Sequence, residues 1–189
     1  MQWLVNGELS FLHSIQDLAT PLWDYFWTFV TMFGESGIFW IALSLILMIP
    51  KKTRRAGFTM GLALLIGVIL GNGVMKNLFA RLRPYDLDPT LSCRLAWGEM
   101  STDYSFPSGH TLASFEAAVG LFLYHRKWGI VTLVMAFLVA VSRLCLVVHF
   151  PTDVLAGAVL GTLFALAAAR IVGFLWELYD KKTKGALEK

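Results

Sequence analysis

Long apolar runs alternate with short basic segments along most of this chain. Residues 1–20 are mixed. Leu4, Phe11, Ile15 and Leu18 recur at helical spacing among Glu8, His13, Gln16 and Asp17, which predicts an amphipathic helix lying in a membrane interface. From Pro21 to Ile49 the chain is apolar and aromatic, interrupted by Gly34, Glu35, Ser36 and Gly37. Neither half reaches the roughly 20 residues of a straight span, so two shorter helices are expected, about 22–33 and 36–49. The Trp23, Trp27 and Trp40 rings suit the membrane–water boundary. The run from Ala56 to about Ala80 carries five glycines, Gly57, Gly61, Gly67, Gly71 and Gly73, which let membrane helices approach closely. A polar stretch follows from Arg81 to Ser108, and a loop of that length is usually functional or disordered. Further apolar runs cover about 109–124, 128–147 and 152–178, the last with a small-residue pair at Gly157 and Gly161.

The pattern predicts an all-α fold: a polytopic transmembrane bundle of about five to six membrane helices plus an N-terminal interfacial amphipathic helix. We expect a single domain over residues 1–189, with 1–20 interfacial, 81–108 an outer catalytic loop and 179–189 a frayed cytoplasmic tail. Composition agrees. Hydrophobic residues make up 57% and charged residues 15%, against about 45–50% and about 25% in soluble domains. A net charge of +3, carried beside apolar runs rather than along a stripe, does not predict a nucleic-acid surface. Cys93 and Cys145 form no CxxC or Cys/His cluster, so neither a zinc site nor a disulfide scaffold is expected. No cleavable signal peptide is expected.

Charge also orients the chain. Lys51–Arg55, the pair Arg126 and Lys127, and the C-terminal Lys181, Lys182, Lys184 and Lys189 fall on one side of successive spans. That side should be the cytoplasm. The 81–108 loop and the turn at 148–152 then face out of the cell across the plasma membrane. Arg81, Arg83 and Arg94 break the rule there and invite a functional explanation.

Three segments on that face carry ionisable residues, which are expensive at membrane depth. Lys76 and Arg83 are seven positions apart, nearly two turns if one helix carries both; Pro84 should end that helix. Pro107-Ser108-Gly109 reads as a helix start, where Ser108 caps backbone N–H groups and the free ones bind an anion. His110 lies in its first turn. Arg143 precedes His149, and Asp153 is four residues beyond that histidine, able to turn back and hold one ring nitrogen. Cations and N–H dipoles stabilise a transferring phosphoryl group. An aspartate-oriented histidine can be a nucleophile, and a second can protonate the leaving oxygen.

The order Lys76…Arg83-Pro84, then Pro107-Ser108-Gly109-His110, then Ser142-Arg143…His149…Asp153 resembles the type 2 phosphatidic acid phosphatase superfamily. Its pattern is K-x6-R-P, P-S-G-H and S-R-x5-H-x3-D. Each motif alone is weak, and all three in register are specific. The resemblance implies His149 as nucleophile, Asp153 orienting it and His110 as general acid. It implies Lys76, Arg83, Ser108, Gly109 and Arg143 as phosphate ligands, with no metal and no cofactor. Arg81 lies outside the pattern and gains no role from it. The implied substrate is a lipid phosphate or diphosphate, such as undecaprenyl diphosphate, phosphatidic acid or phosphatidylglycerol phosphate. The motifs read the phosphate, so they do not choose among these. The alternatives are phosphoryl transfer to an acceptor other than water, and a small membrane transporter.

Glu116 lies deeper in its span than His110. It is read as a protonated or locally hydrogen-bonded carboxylate that tunes helix packing, with contact to the active-site network as the alternative. Asn72 is read as a polar helix–helix contact. Trp97, Met100, Tyr104 and Phe106 form an apolar mouth or pack the loop.

Overall fold

The computed structural model describes residues 2–98 and 102–187. Its helices are α1 (Gln2–Leu18), α2 (Pro21–Thr31), α3 (Ile38–Met48), α4 (Arg54–Ile66), α5 (Lys76–Phe79), α6 (Pro84–Leu87), α7 (Gly109–Phe122), α8 (Arg126–Cys145) and α9 (Pro151–Leu187). Among the described residues there is no strand, as the apolar pattern predicts. Four helical stretches are long and apolar enough to cross a membrane: Pro21–Met48, Arg54–Leu87, Arg126–Cys145 and Pro151–Thr183. The shorter α7 sits among them, packed against α4, α8 and α9. The molecule is an all-α membrane bundle.

Small residues set the spacing. A Cβ on Gly157 would lie 2.8 Å from the Ser108 carbonyl, and one on Gly161 2.6 Å from the Leu112 carbonyl. The backbones of α7 and α9 therefore nearly touch, as the small-residue pair predicts. Gly57 seats α4 on the α3 backbone at Ser44 and Met48 in the same way. Trp40, Met60, Leu64, Ala117 and Leu121 fill the space between. Trp40 is not a boundary residue. It is fully buried, and its Nε1 donates to Ser114 Oγ at 2.9 Å, which satisfies the indole where no water can.

The first apolar run is one broken span. Thr20 caps α2 by accepting from the Trp23 N–H. A 3₁₀ segment, Met32–Gly37, then joins α2 to α3, with Ser36 at φ +48° and Gly37 at φ +67°. The second run changes gauge. Gly67–Met75 winds as a π-helix, a wider geometry common at functional sites.

Helix α5 stops at Phe79, and Ala80 turns left-handed at φ +44°. Pro84 does not end a helix running from Lys76; it opens α6. Lys76 and Arg83 thus lie on different elements, contrary to the single-helix expectation. The 81–108 segment is held by ion pairs. Arg94 pairs with Asp24 at 2.7 and 2.9 Å. His13 lies 3.0 Å from Asp88, and Gln16 binds the Thr90 carbonyl and the Ser92 N–H. Helix α1 lies on this segment with Leu12 buried against Leu91, Val147 and Phe150, while Leu4, Phe11 and Leu18 face outward. That arrangement suits an interfacial helix.

At the other end, Arg54 donates to the Met48 and Ile49 carbonyls and so caps α3. Arg55 lies over the Trp176 ring. The lysine-rich tail does not fray as expected, because α9 continues to Leu187; Lys189 lies outside the described residues. Cys93 and Cys145 are both free thiols.

Candidate active site

The turn between α8 and α9 brings His149 to the end of the bundle that carries the 81–108 segment. Val147 takes a left-handed φ of +57°, and the Val148 N–H donates to the Arg143 carbonyl at 3.1 Å. The His149 ring is buried and held on both edges. Nδ1 lies 3.2 Å from Ser105 Oγ and 3.6 Å from Asp153 Oδ2. Nε2 lies 3.5 Å from Arg83 Nη1 and faces a cavity of about 350 Å³. This pattern places the proton on Nδ1 and leaves the Nε2 lone pair toward the cavity. Burial pushes the His149 ring down to about 3; the charges of Arg83 and Arg143 add to this, and the Asp153 carboxylate opposes it. The imidazole is therefore neutral near neutral pH, as a nucleophile requires.

Asp153 is fully buried. Its Oδ2 accepts from Ser105 Oγ at 2.5 Å and from the Phe150 N–H at 2.9 Å. At 3.6 Å it does not bond His149 at normal hydrogen-bond length, and the Ser105 hydroxyl stands between them. Its Oδ1 accepts from Arg81 Nη1 at 2.5 Å.

On the cation side, Arg83 donates through Nη1 to the Val148 carbonyl at 2.9 Å and through Nε to the Asp103 carbonyl at 3.0 Å. Its Nη2 reaches Asp103 Oδ1 at 2.5 Å, while Lys76 binds Asp103 Oδ2. Burial opposes the charge on Asp103, but these two cations hold its carboxyl down to about 2. One carboxylate is thus bound where Lys76 and Arg83 converge. Arg143 is buried and donates to Thr31 Oγ1, and its Nε has no hydrogen-bond partner among the described residues.

His110 is the second residue of α7. Its Nε2 lies 3.3 Å from Glu35 Oε2, on the 3₁₀ segment of the broken span. Gly34 lets that segment approach, since a Cβ there would meet His110 Cδ2 at 2.9 Å. Each histidine therefore has its own carboxylate nearby.

Five of the eight residues predicted from sequence line the one cavity: Lys76, Arg83, Gly109, His110 and His149. Asp153 stands behind His149. Ser108 and Arg143 are not on the cavity wall. Ser108 does not use its side chain as a helix cap; its Oγ accepts from Thr111 Oγ1 at 3.1 Å instead. Glu116 lines the inner end of the same cavity, with Oε1 buried and without a hydrogen-bond partner among the described residues. It belongs to the cavity rather than to helix packing alone. Asn72 also lines it, its Oδ1 beside Gly109. The expected aromatic mouth is divided: Trp97 packs on Tyr25 and Phe106 on Phe79. Met100 lies outside the described residues. Ser105 and Asp103 carried no motif signal. Glu35 carried a weak one, as a charge inside an apolar run, but was read only as an interruption.

The model of the PAP2 superfamily matches residues 52–177, which contain all three motifs. The chain belongs to the PAP2 superfamily. An undecaprenyl-diphosphatase of Sulfolobus acidocaldarius is 35% identical over 88% of this chain and 78% of its own length. A bacitracin transport permease protein of Bacillus licheniformis is 36% identical over 72% of this chain and 67% of its own. Among solved structures, the transmembrane PAP2 type phosphatidylglycerolphosphate phosphatase of Bacillus subtilis superposes with a TM-score of 0.72 at 27% identity. It covers 96% of this chain and 88% of its own. As a PAP2 protein the chain is an integral membrane phosphatase.

Proposed function

We propose that this PAP2 protein hydrolyses a lipid phosphate or diphosphate at the outer face of the plasma membrane through a phosphohistidine on His149. The observation that carries the reading is the orientation of His149. Its Nδ1 edge faces Ser105 and Asp153, and its Nε2 edge faces the cation-lined cavity.

In the first step Nε2 attacks phosphorus, a P–N bond forms and the bond to the leaving oxygen breaks. His110 gives that oxygen its proton. Asp153 stabilises the cationic ring through Ser105. Water then attacks the phosphohistidine, His110 takes its proton, and inorganic phosphate leaves. Lys76 and Arg83 neutralise the phosphoryl oxygens. Gly109 supplies an N–H group at the start of α7, where the Ser108 N–H is already given to the Asp153 carbonyl at 3.1 Å, and Arg143 adds positive charge from behind. For phosphate to reach Lys76 and Arg83, Asp103 must yield them.

The cavity continues from His149 past Ile41, Leu64, Val68 and Leu112, an apolar path for the first carbons of a lipid tail. The names of the relatives favour a polyprenyl diphosphate or a glycerolipid phosphate. The permease name of one relative keeps transport as the competing reading. One experiment separates the two: purified protein in detergent is given a panel of diphosphates and monophosphates on isoprenoid and glycerolipid tails. Release of inorganic phosphate, lost in the H149A variant, is expected. No release from any lipid phosphate would favour transport, and a phosphorylated organic product in place of free phosphate would favour transfer to another acceptor.

A further inference from the structure

Arg81 lies outside the family motif, yet it reaches the buried carboxylate behind His149, and Glu8 on the interfacial helix reaches Arg81. Arg81 Nη1 donates to Asp153 Oδ1 at 2.5 Å and to Thr152 Oγ1 at 2.7 Å. Its Nη2 donates to Glu8 Oε2 at 2.6 Å. The other Glu8 oxygen accepts from the Thr152 N–H at 2.8 Å and from its hydroxyl at 2.7 Å. The guanidinium lies over the Phe150 ring, 4.0 Å from its centroid. Glu8 is only 5% exposed although it sits on an amphipathic helix.

We infer that Glu8 and Arg81 are positioning residues for the Asp153–His149 pair, so that α1 is part of the catalytic apparatus. The inference rests on the reading of His149 as nucleophile and Asp153 as its partner. Charges alternate along the chain of contacts: Asp153, Arg81, Glu8. A guanidinium fork fixes a carboxylate in orientation as well as in charge. Alone on Asp153, however, it would draw off the negative charge that the ring needs when it becomes cationic. Glu8 balances Arg81 from the far side, so Asp153 is held in place without being neutralised. Glu8 also pins Thr152, the residue beside Asp153 in the first turn of α9. Removing the charge on Glu8 tightens Arg81 on Asp153 and weakens support for the phosphohistidine cation.

The experiment is a double-mutant cycle on the full chain in detergent, reading kcat and KM by phosphate release and the thermal unfolding midpoint of each variant. E8Q should lower kcat about 5- to 20-fold, in the range that directly coupled neighbours show, with KM within about 3-fold. R81K should lose more, since an ammonium cannot bridge two carboxylates and a hydroxyl as a fork does. In a D153N background E8Q should cost less than about 2-fold further, because its effect passes through Asp153. A merely structural Glu8 would multiply its loss through that background, and that result overturns the inference. So does an E8Q or R81K loss carried in KM, or wild-type kcat in both variants. Wild-type turnover by D153N would instead overturn the underlying assignment of Asp153. If D153N has no measurable turnover, the kcat–KM split of E8Q and R81K decides. E8A, which also removes the charge, supplies the same arm if E8Q does not accumulate.

Discussion

Replacing Ser105 with alanine removes one oxygen atom from the centre of the site. That hydroxyl donates to Asp153 at 2.5 Å and stands 3.2 Å from His149 Nδ1. Asp153 keeps its bonds from Phe150 and Arg81, so its carboxylate stays in place. The ring loses its nearest partner, and the remaining 3.6 Å gap to Asp153 is too long for a good hydrogen bond. A hydrogen bond to a charged group contributes about 1.5–3 kcal/mol. The ring is cationic only once phosphorylation begins, so the loss falls on the transition state, at about tenfold per 1.4 kcal/mol. S105A should therefore lower kcat about 10- to 150-fold, with KM within about 3-fold and an unfolding midpoint close to wild type. The assay is phosphate release at saturating lipid, with single-turnover acid quench to follow phosphoenzyme formation. S105A turning over within twofold of wild type would refute the relay. A loss confined to KM would place Ser105 on the substrate instead.

Four further outcomes are expected. H149A should abolish both turnover and trapped phosphoenzyme, whereas H110A should slow cleavage about 10²–10⁴-fold, the usual contribution of a positioned acid. The H110A loss should shrink with a substrate whose leaving group needs no proton, and label trapped by H149A would reverse the assignments. Activity should persist in EDTA; complete loss restored by one divalent ion would contradict a phosphate site built from cations and N–H groups. D86C, at an exposed position of the short helix α6 and in a chain without Cys93 and Cys145, should react with an impermeant thiol reagent on intact cells. Labelling only after lysis would invert the topology. G67A should destabilise the bundle, because its Cβ would fall 2.0 Å from Glu116 Oε1; G67A/E116A should recover part of the lost midpoint, and equal midpoints for G67A and wild type would show that the helix gives way freely.

Much of the site was legible because its signals are local. His149 and Asp153 are four residues apart, and the turn and first helical turn between them bring both to one place. Ser108 to His110 open a helix that the Pro-Ser-Gly sequence announces. Lys76 and Arg83 meet on Asp103, but not along one helix: the left-handed turn at Ala80 breaks it, and convergence comes from the returning chain. What was not legible depends on long paths. Ser105 meets His149 across 44 positions and Glu35 meets His110 across 75, and neither pairing leaves a period in the sequence. Trp40 looked like a boundary ring because its run is apolar throughout; which face turns inward is decided by Ser114 on another helix. The first two basic clusters lie at breaks between helices and the third at the end of α9. The exceptions Arg81, Arg83 and Arg94 proved to be paired with carboxylates.

The contacts of Glu8 impose an order on synthesis. Its partners Arg81 and Thr152 lie 73 and 144 positions downstream. The first helix to leave the ribosome therefore cannot seat fully at once: its carboxylate gains Arg81 first and Thr152 only when α9 begins. An unpaired carboxylate at the headgroup level stays in water rather than entering the bilayer. Full docking of helix α1 thus waits for the start of α9 and closes a loop of 144 positions. A chain stalled before α9 would therefore leave its N-terminal helix short of one of its two anchors and more open to proteases.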